Sequence, residues 1–593
     1  MAIFIRQSKD IKGIWVGNTE FKVSQLADDT GMFVLDIESI KNVIKCLKDF
    51  KEISGLKMNV DKTVAKPIGS LRNVKLDNLE NVGLVWSHEP ITTLGITITN
   101  DPVVNIEKNF KSRLKVMRDI LNIWLARNLS LKGKITVLKS LVLPKLLYVS
   151  SNMPVPMEVI KEADRLINNF LWDHKKSKIK KNVMIQSIDH GGLRAPDFFS
   201  MVKASRVAWV KRLLSQSKSK WKSILQEYIH PLTITDYIQT TLDCDKINNM
   251  SPFYKDIFTS WVEIKQQPID ASDFLNEILW YNKFIQTPIE NIKQKKMKSI
   301  LFRDLYKKGI VKLGDLINST GEFMSLDMLN SKVGLKLNIL RYQKLKMAIP
   351  KQWLIDIKTE VLKSNLYSDN NGNLVYDNKY YNYMIGDKKQ IQKASTKFIY
   401  NCFVYKKHEI PTAVMRWNDI YEINEEDWVS IFRVPYACSK DTYLQSFQFR
   451  IIHRIFPCNK WLHTLKIIDS DLCEHCEIPD SIEHYLFSCN KVGNFWGELE
   501  KWYNHVSDTK VVLTLKHVIF GLYYDIKDFS VINYIIMLGK QYIRRQKYKD
   551  SPICVINFLV HLRTKLDIEM EICQRNNTLN YFNKKWSKIL EYL

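Results

Sequence analysis

In Val23-Ser24-Gln25-Leu26-Ala27-Asp28-Asp29-Thr30-Gly31-Met32-Phe33-Val34-Leu35, two adjacent carboxylates stand between an alternating run and an apolar run. The alternation predicts a short strand, and the acidic pair predicts the turn after it. At a tight hairpin, such a pair aims its oxygens into one small volume. Mg²⁺ takes oxygen ligands, usually one or two carboxylates plus substrate phosphates. Two such ions can clamp the attacking and leaving oxygens of an in-line phosphoryl transfer. Taken alone, Asp-Asp fits a solvated turn equally well, so the neighbouring segments decide.

Upstream, Gly13-Ile14-Trp15-Val16-Gly17-Asn18-Thr19-Glu20 predicts two short strands joined at Gly17-Asn18. Downstream, Ile40, Val43, Ile44, Leu47 and Phe50 fall at helical spacing, which predicts an amphipathic helix over 39–54 with Gly55 as its C-cap. Then follow Ser54-Gly55-Leu56-Lys57-Met58-Asn59, Asp61-Lys62-Thr63 and, further on, Leu94-Gly95-Ile96. This order resembles the end of the palm of non-LTR (LINE-type) retrotransposon reverse transcriptases: the "ADD" box, the "SGLKxN…KT" segment and the "LGI" turn. The resemblance implies catalytic roles for Asp28 and Asp29, as Mg²⁺ ligands, and for Lys62, near the incoming nucleotide. It implies that Leu94 and Gly95 grip the primer end. Leu26 departs from the family, which usually carries an aromatic residue there. In the family, another metal-binding Asp and the fingers precede the box. Only 27 residues precede Asp28 here. The expectation is therefore that this chain alone does not polymerise. RNA-directed DNA polymerase activity would belong to the full-length parent, or to this chain with the missing polymerase half supplied in trans.

The chain has 593 residues, enough for roughly three to five domains at ~100–200 residues each. Its 15 Trp, 26 Tyr and 26 Phe can fill several cores, which argues against a disordered chain. Lys and Arg number 88 against 63 acids, a net charge of +25 that points to a polyanionic partner. No run of apolar residues is long enough to cross a membrane; the most apolar stretch, 138–149, is broken by Lys139, Pro144 and Lys145. The N-terminus shows no signal-peptide pattern. The ten Cys, scattered apart from Cys473 and Cys476, read as an intracellular chain with reduced thiols, without resolving nucleus from cytoplasm.

Residues 106–126, 130–148 and 157–172 show helical periodicity, and a helix is expected to resume over 198–225 after the Gly- and Pro-rich loop at 190–197. Between Lys161 and Lys222 stand fifteen basic residues and five acids, with Phe170, Trp172, Phe198, Phe199, Trp209 and Trp221 interleaved. Cations neutralise phosphates and aromatics can stack on bases. The helical spacing of these aromatics favours core packing instead. The words Asn128-Leu129-Ser130-Leu131-Lys132-Gly133-Lys134 and Gly191-Gly192-Leu193 also look like this family, where they follow the palm. The resemblance implies that Arg127, Lys132 and Lys134 lie near the template–primer duplex. Residues 226–425 carry little signal beyond short helical stretches and a polar hairpin at 368–373.

The strongest chemical signal is Cys473-x2-Cys476-x7-His484-x4-Cys489, three thiolates and an imidazole in a short span. Zn²⁺ favours four tetrahedral N/S ligands, and a Cys3His set filled by protein leaves no open position for water. The expected role is structural Zn²⁺ binding. His475 is a rival ligand, disfavoured by its place between two Cys ligands. The flanks Phe449–Pro457, Asn459–Leu462 and Phe495-Trp496 resemble the zinc-binding domain downstream of the polymerase in LINE proteins. On that basis Arg450, Arg454 and Lys460, with His453 and Lys466, are candidate nucleic-acid contacts; a solvated helix face explains them equally well. Arg544-Arg545-Gln546-Lys547-Tyr548-Lys549 forms a further basic run, which reads as an exposed helix end, a nucleic-acid patch or an import signal.

The expected fold is mainly α with a small β element. Its segments are 1–104 (end of the palm), 105–225 (thumb and basic helices), 226–425 (helical connector) and 426–593 (zinc-binding helical domain). The expected function is a reverse transcriptase fragment that binds RNA and DNA. The alternative is a non-catalytic, zinc-containing nucleic-acid-binding protein derived from a retroelement. No endonuclease signature is present.

Overall fold

The computed structural model describes residues 1–69, 84–87, 89–99, 101–217, 219–243, 250–288, 297–363, 366–368, 374–375, 383–386 and 389–593. Helices dominate these residues, and the strands are short. The tip of the polar hairpin expected at 368–373 lies outside the described residues, but its flanks Tyr367–Ser368 and Leu374–Val375 pair antiparallel.

The chain divides into two compact units, and neither is continuous in sequence. One comprises residues 1–117, 144–163 and 198–403; the other comprises 118–143, 164–197 and 404–593. The four segments drawn from the sequence follow motifs, whereas these units follow packing.

In the first unit, strands Ile14–Val16 and Thr19–Phe21 pair with Val16 opposite Thr19, so Gly17-Asn18 forms the two-residue turn, with Gly17 at φ +55°. Strands Val23–Leu26 and Asp29–Met32 pair with Leu26 opposite Asp29, leaving Ala27-Asp28 as the turn. Ala27 takes the left-handed conformation there, at φ +52°. The helix Ile37–Ser54 starts where the Asp36 carboxylate accepts the Ser39 N–H at 2.8 Å, and ends at Gly55 with φ +70°. The apolar centre of this region is small: Ile5, Ile11 and Val43. Among the described residues every sheet has two strands. Such ribbons are marginal alone and depend on what they pack against.

The hairpin Ile91–Thr93/Ile96–Ile98 turns at Leu94 and Gly95, both at positive φ. Tyr148 Oη donates to Leu94 O, and Arg113 Nη2 donates to Gly95 O at 2.7 Å. Buried Asn109 acts as a surrogate strand. Its Oδ1 accepts Thr97 N–H at 2.9 Å, and its Nδ2 donates to Thr97 O at 2.7 Å.

Helical periodicity in the 130–150 region runs through Pro144, which would ordinarily break a helix. The backbone accommodates it with a widened π-type turn, Leu138–Val142, immediately before the proline. The helix expected over 198–225 is two helices, Phe198–Leu214 and Trp221–Ile229. Serines at 215 and 217 bond to each other at 3.0 Å across the break, and such side chains compete with helical hydrogen bonds.

The quiet stretch after residue 226 contributes most of the first unit's largest core. Trp261 and Trp280 are fully buried, and their indole N–H groups donate to Ile238 O and Ile310 O, both at 2.9 Å. In the second unit the helix Ser530–Tyr548 is surrounded by apolar neighbours over most of its length. Helices Glu425–Cys438, Thr442–Ile452, Val555–Arg575 and Leu579–Leu590 pack in the same core. Lys540, fully buried in it, donates to Gln448 Oε1 at 2.5 Å and Val518 O at 2.6 Å. Asp197 is buried between Lys181 at 2.7 Å and Lys407 at 2.5 Å, which fixes the end of the loop at 190–197. Among the described residues no helix is long and apolar enough to cross a membrane.

Candidate metal centre

The four ligand candidates sit on two local structures. The first is a narrow loop closed by a bridge between Leu472 and Pro479. Cys473 N–H donates to Ile478 O at 2.8 Å, and Glu477 N–H donates back to Cys473 O at 2.9 Å, with Glu477 at φ +55°. Both thiols of Cys473-x2-Cys476 are thereby carried on one turn.

The second is the π-type turn His484–Ser488. In an α-helix, residues five apart lie about 140° apart around the axis. Here Cys489 N–H bonds to His484 O at 3.0 Å, the wider i→i+5 link, which brings residue 489 back over residue 484. The turn is started by Ser481, whose Oγ accepts His484 N–H at 3.2 Å. Asp480 Oδ2 accepts Asn459 N–H at 3.0 Å, and Asn459 Nδ2 donates to Leu472 O at 2.8 Å, so the two structures share an anchor.

The resulting geometry suits a metal. Cys473 Sγ and Cys476 Sγ lie 3.8 and 3.7 Å from Cys489 Sγ. All four ligand atoms, His484 included, fall within 4.8 Å of one another. A tetrahedral ion with metal–sulfur bonds of about 2.3 Å would space its sulfurs about 3.8 Å apart. The same separations are far beyond the disulfide length of about 2.05 Å. Neither ring nitrogen of buried His484 has a hydrogen-bond partner, an arrangement that is costly without an ion to accept the lone pair. His475, the rival ligand, is exposed and outside the group. The Cys3His cluster can therefore hold a metal such as zinc.

Burial pushes the Cys473 thiol up to about 11 and depresses the His484 imidazole. At Cys489, burial acts to raise the thiol, but the Lys547 ammonium and the Lys491 N–H outweigh it and the net shift is downward. Three thiolates around a divalent ion carry excess negative charge, and Lys547 is placed to balance it. Lys547 lies in the basic run that begins at Arg544, and tertiary packing brings it beside Cys489.

The other sequence-selected residues are scattered. Asp28 and Asp29 are exposed at their hairpin, and Lys62 is exposed at the end of the short 3-10 helix Val60–Lys62. No hydrogen bond or ion pair joins Lys62 to either aspartate. Among the described residues, no third Cys, His, Asp or Glu completes a ligand set with the pair. Leu94 and Gly95 form the hairpin tip held by Tyr148 and Arg113. Arg127 is exposed, its guanidinium 5.7 Å from the Trp124 ring centroid. Lys132 is exposed and donates to Gln445 Oε1 at 3.1 Å. Lys134 is buried, its ammonium 2.6 Å from Asp173. Arg454 pairs with Glu483 at 3.3 Å and lies 4.1 Å from the Trp417 ring centroid, so packing already engages it. Lys460 is exposed, and Arg450 is half-buried. The buried His453 ring meets Gly191 O at 2.8 Å and serves the core rather than the surface.

No family model matches the chain. The transposon TX1 uncharacterized 149 kDa protein of Xenopus laevis is 22% identical over 370 residues, covering 60% of this chain and 27% of that protein. The chain is similar to a transposon protein. A putative ribonuclease H protein of Arabidopsis thaliana is 28% identical over 120 residues, covering 19% of each chain. The chain thus spans about a quarter or less of the length of these curated relatives.

Proposed function

We propose that this chain is part of a retroelement reverse transcriptase and that its own activity is to bind RNA and DNA through a zinc-organised helical unit. The observation that carries the reading is the Cys473, Cys476, His484 and Cys489 geometry, together with likeness to a transposon protein. Zn²⁺ held by four protein ligands has no free position for substrate, so its role is structural. It would pin the loop that carries Cys473 and Cys476 to the turn that carries His484 and Cys489. The excess of cations supplies the affinity, and phosphate contacts make it dependent on salt rather than on sequence.

Polymerisation belongs to the full-length parent. There Asp28 and Asp29 would share Mg²⁺ with a further carboxylate from another palm strand, and Lys62 would sit near the nucleotide. The pair's exposure and its lack of a third donor among the described residues favour binding over catalysis for this chain.

The test is metal content and binding on one preparation. The purified chain should hold about one zinc per molecule, and it should shift labelled RNA and single-stranded DNA with strong salt dependence. Removing the metal with a chelator should weaken that shift. A preparation with full zinc and no affinity for either nucleic acid at low salt would end the reading. Template-directed primer extension by this chain would overturn the assignment of polymerisation to the parent.

A further inference from the structure

We propose that Lys178, Arg450 and Arg544 form a cradle for the backbone phosphates of a nucleic acid, beside the metal loop. The proposal rests on the nucleic-acid reading above and gives it a location. The helices Thr442–Ile452 and Ser530–Tyr548 of the second unit pack together, and Lys178, on the loop after the helix Met157–Leu171, comes near Arg450 and the Trp461 ring.

Aromatic rings form the floor. Phe447 and Phe456 have centroids 5.7 Å apart, and Phe456 and Tyr485 5.1 Å apart. The Arg544 guanidinium lies 5.9 Å from the Phe447 centroid and 5.7 Å from that of Phe456. Arg450 is one helical turn along from Phe447, on the same face. Lys178 Nζ stands 4.8 Å from the Trp461 centroid. Trp461 belongs to the helix Asn459–Thr464, whose start is tied to Asp480 in the metal loop.

Lys178 lies close enough to Arg450, and Arg450 to Arg544, for their charges to repel. Besides burial, Lys178 feels Arg450 and Lys175, and Arg450 feels Arg544. Asp173 is the one carboxylate acting on either, and Lys134 already holds it at 2.6 Å. Among the described residues, no hydrogen bond or ion pair occupies the Lys178 ammonium or the Arg450 guanidinium. Like charges gathered over a partly desolvated floor cost stability unless an anion enters between them. Two guanidiniums and an ammonium match phosphate oxygens, with arginine supplying bidentate geometry. Successive phosphates of one strand can use the neighbouring cations.

The experiment compares full-length wild type with Lys178→Gln/Arg450→Gln by fluorescence anisotropy on labelled single-stranded RNA, across a salt series. The logarithmic salt slope should become shallower by about 1 per removed contact, to a similar degree for unrelated sequences. Lys178→Arg/Arg450→Lys, which keeps the charge, should bind nearly as wild type, and so should Lys397→Gln at an exposed lysine of the other unit. Zinc content should stay constant and Tm should not fall, because repulsion is relieved. Inorganic phosphate should compete weakly; competition as strong as that by RNA would assign the pocket to free phosphate and overturn the nucleic-acid cradle. An unchanged slope in the double Gln variant would remove the cradle while leaving nucleic-acid binding intact. Failure of the wild type to bind would remove both. Loss of binding accompanied by loss of zinc would assign these residues to folding and reject the cradle.

Discussion

His453 Nε2 lies 2.8 Å from the carbonyl oxygen of Gly191, in a site closed to solvent. The ring nitrogen donates to that oxygen, so the neutral imidazole satisfies the contact with one proton. Phe432 and Phe449 flank the ring.

Burial pushes this imidazole down to about 4, while an unfolded His titrates near 6.5. Between those values the unfolded chain binds the extra proton, so stability falls as pH drops through that window and levels off below it. The expected loss is up to about 3 kcal/mol. Urea unfolding of wild type and His453→Gln at pH 7 and pH 5 checks it. The wild type should lose more stability than the variant between the two pH values; parallel losses would show that His453 contributes nothing to the acid sensitivity.

Cys489→Ser should abolish stoichiometric zinc binding and lower Tm, since binding energy at such a site is folding energy. His475→Asn should retain the metal. Elemental analysis and a thermal melt of each variant give the answer, and retention of zinc by Cys489→Ser would break the four-ligand assignment.

Gly192 tests the loop before the buried Asp197. A Cβ there would lie 2.2 Å from Gln186 O and 2.5 Å from Val183 O, both backbone atoms with no room to yield. Gly192→Ala should therefore cost several kcal/mol, in the range of overpacked or strained sites. Gly334→Ala is the control. Gly334 caps a helix at φ +63° with nothing near its Cβ position, so alanine should cost about 1 kcal/mol. Equal Tm shifts for the two would refute the steric account.

The N-terminal hairpins should open first. Their core is three apolar side chains, and Trp15, Leu26 and Leu35 remain more than half exposed. Hydrogen exchange over residues 1–35 should be orders of magnitude faster than in the helix Ser530–Tyr548. Comparable protection in both segments would contradict this ordering.

Local signals carried much of this structure. Gly17-Asn18 predicted its hairpin because a two-residue turn needs left-handed backbone, and Gly55 predicted a helix end for the same reason. The Cys-x2-Cys spacing announced the metal ligands because the loop that presents them is itself local. What failed to show was pairing across distance. Nothing near Lys134 in the chain reveals that Asp173 draws it inside, and nothing near Arg450 reveals Lys178 or Arg544. The break near residue 215 was obscured because periodicity resumes after it. The core built after residue 226 was illegible because its helices are short and their apolar faces acquire meaning only once assembled.

The stacking of Arg454 on Trp417, with Glu483 at its other end, ties the segment that carries His484 to the helical body. A charge-to-alanine scan scored by gel shift would flag Arg454 as strongly as any true contact, for a mechanical reason: the variant would unfasten a brace. Only a scan that also records melting behaviour would separate the fastener from the residues that touch a ligand.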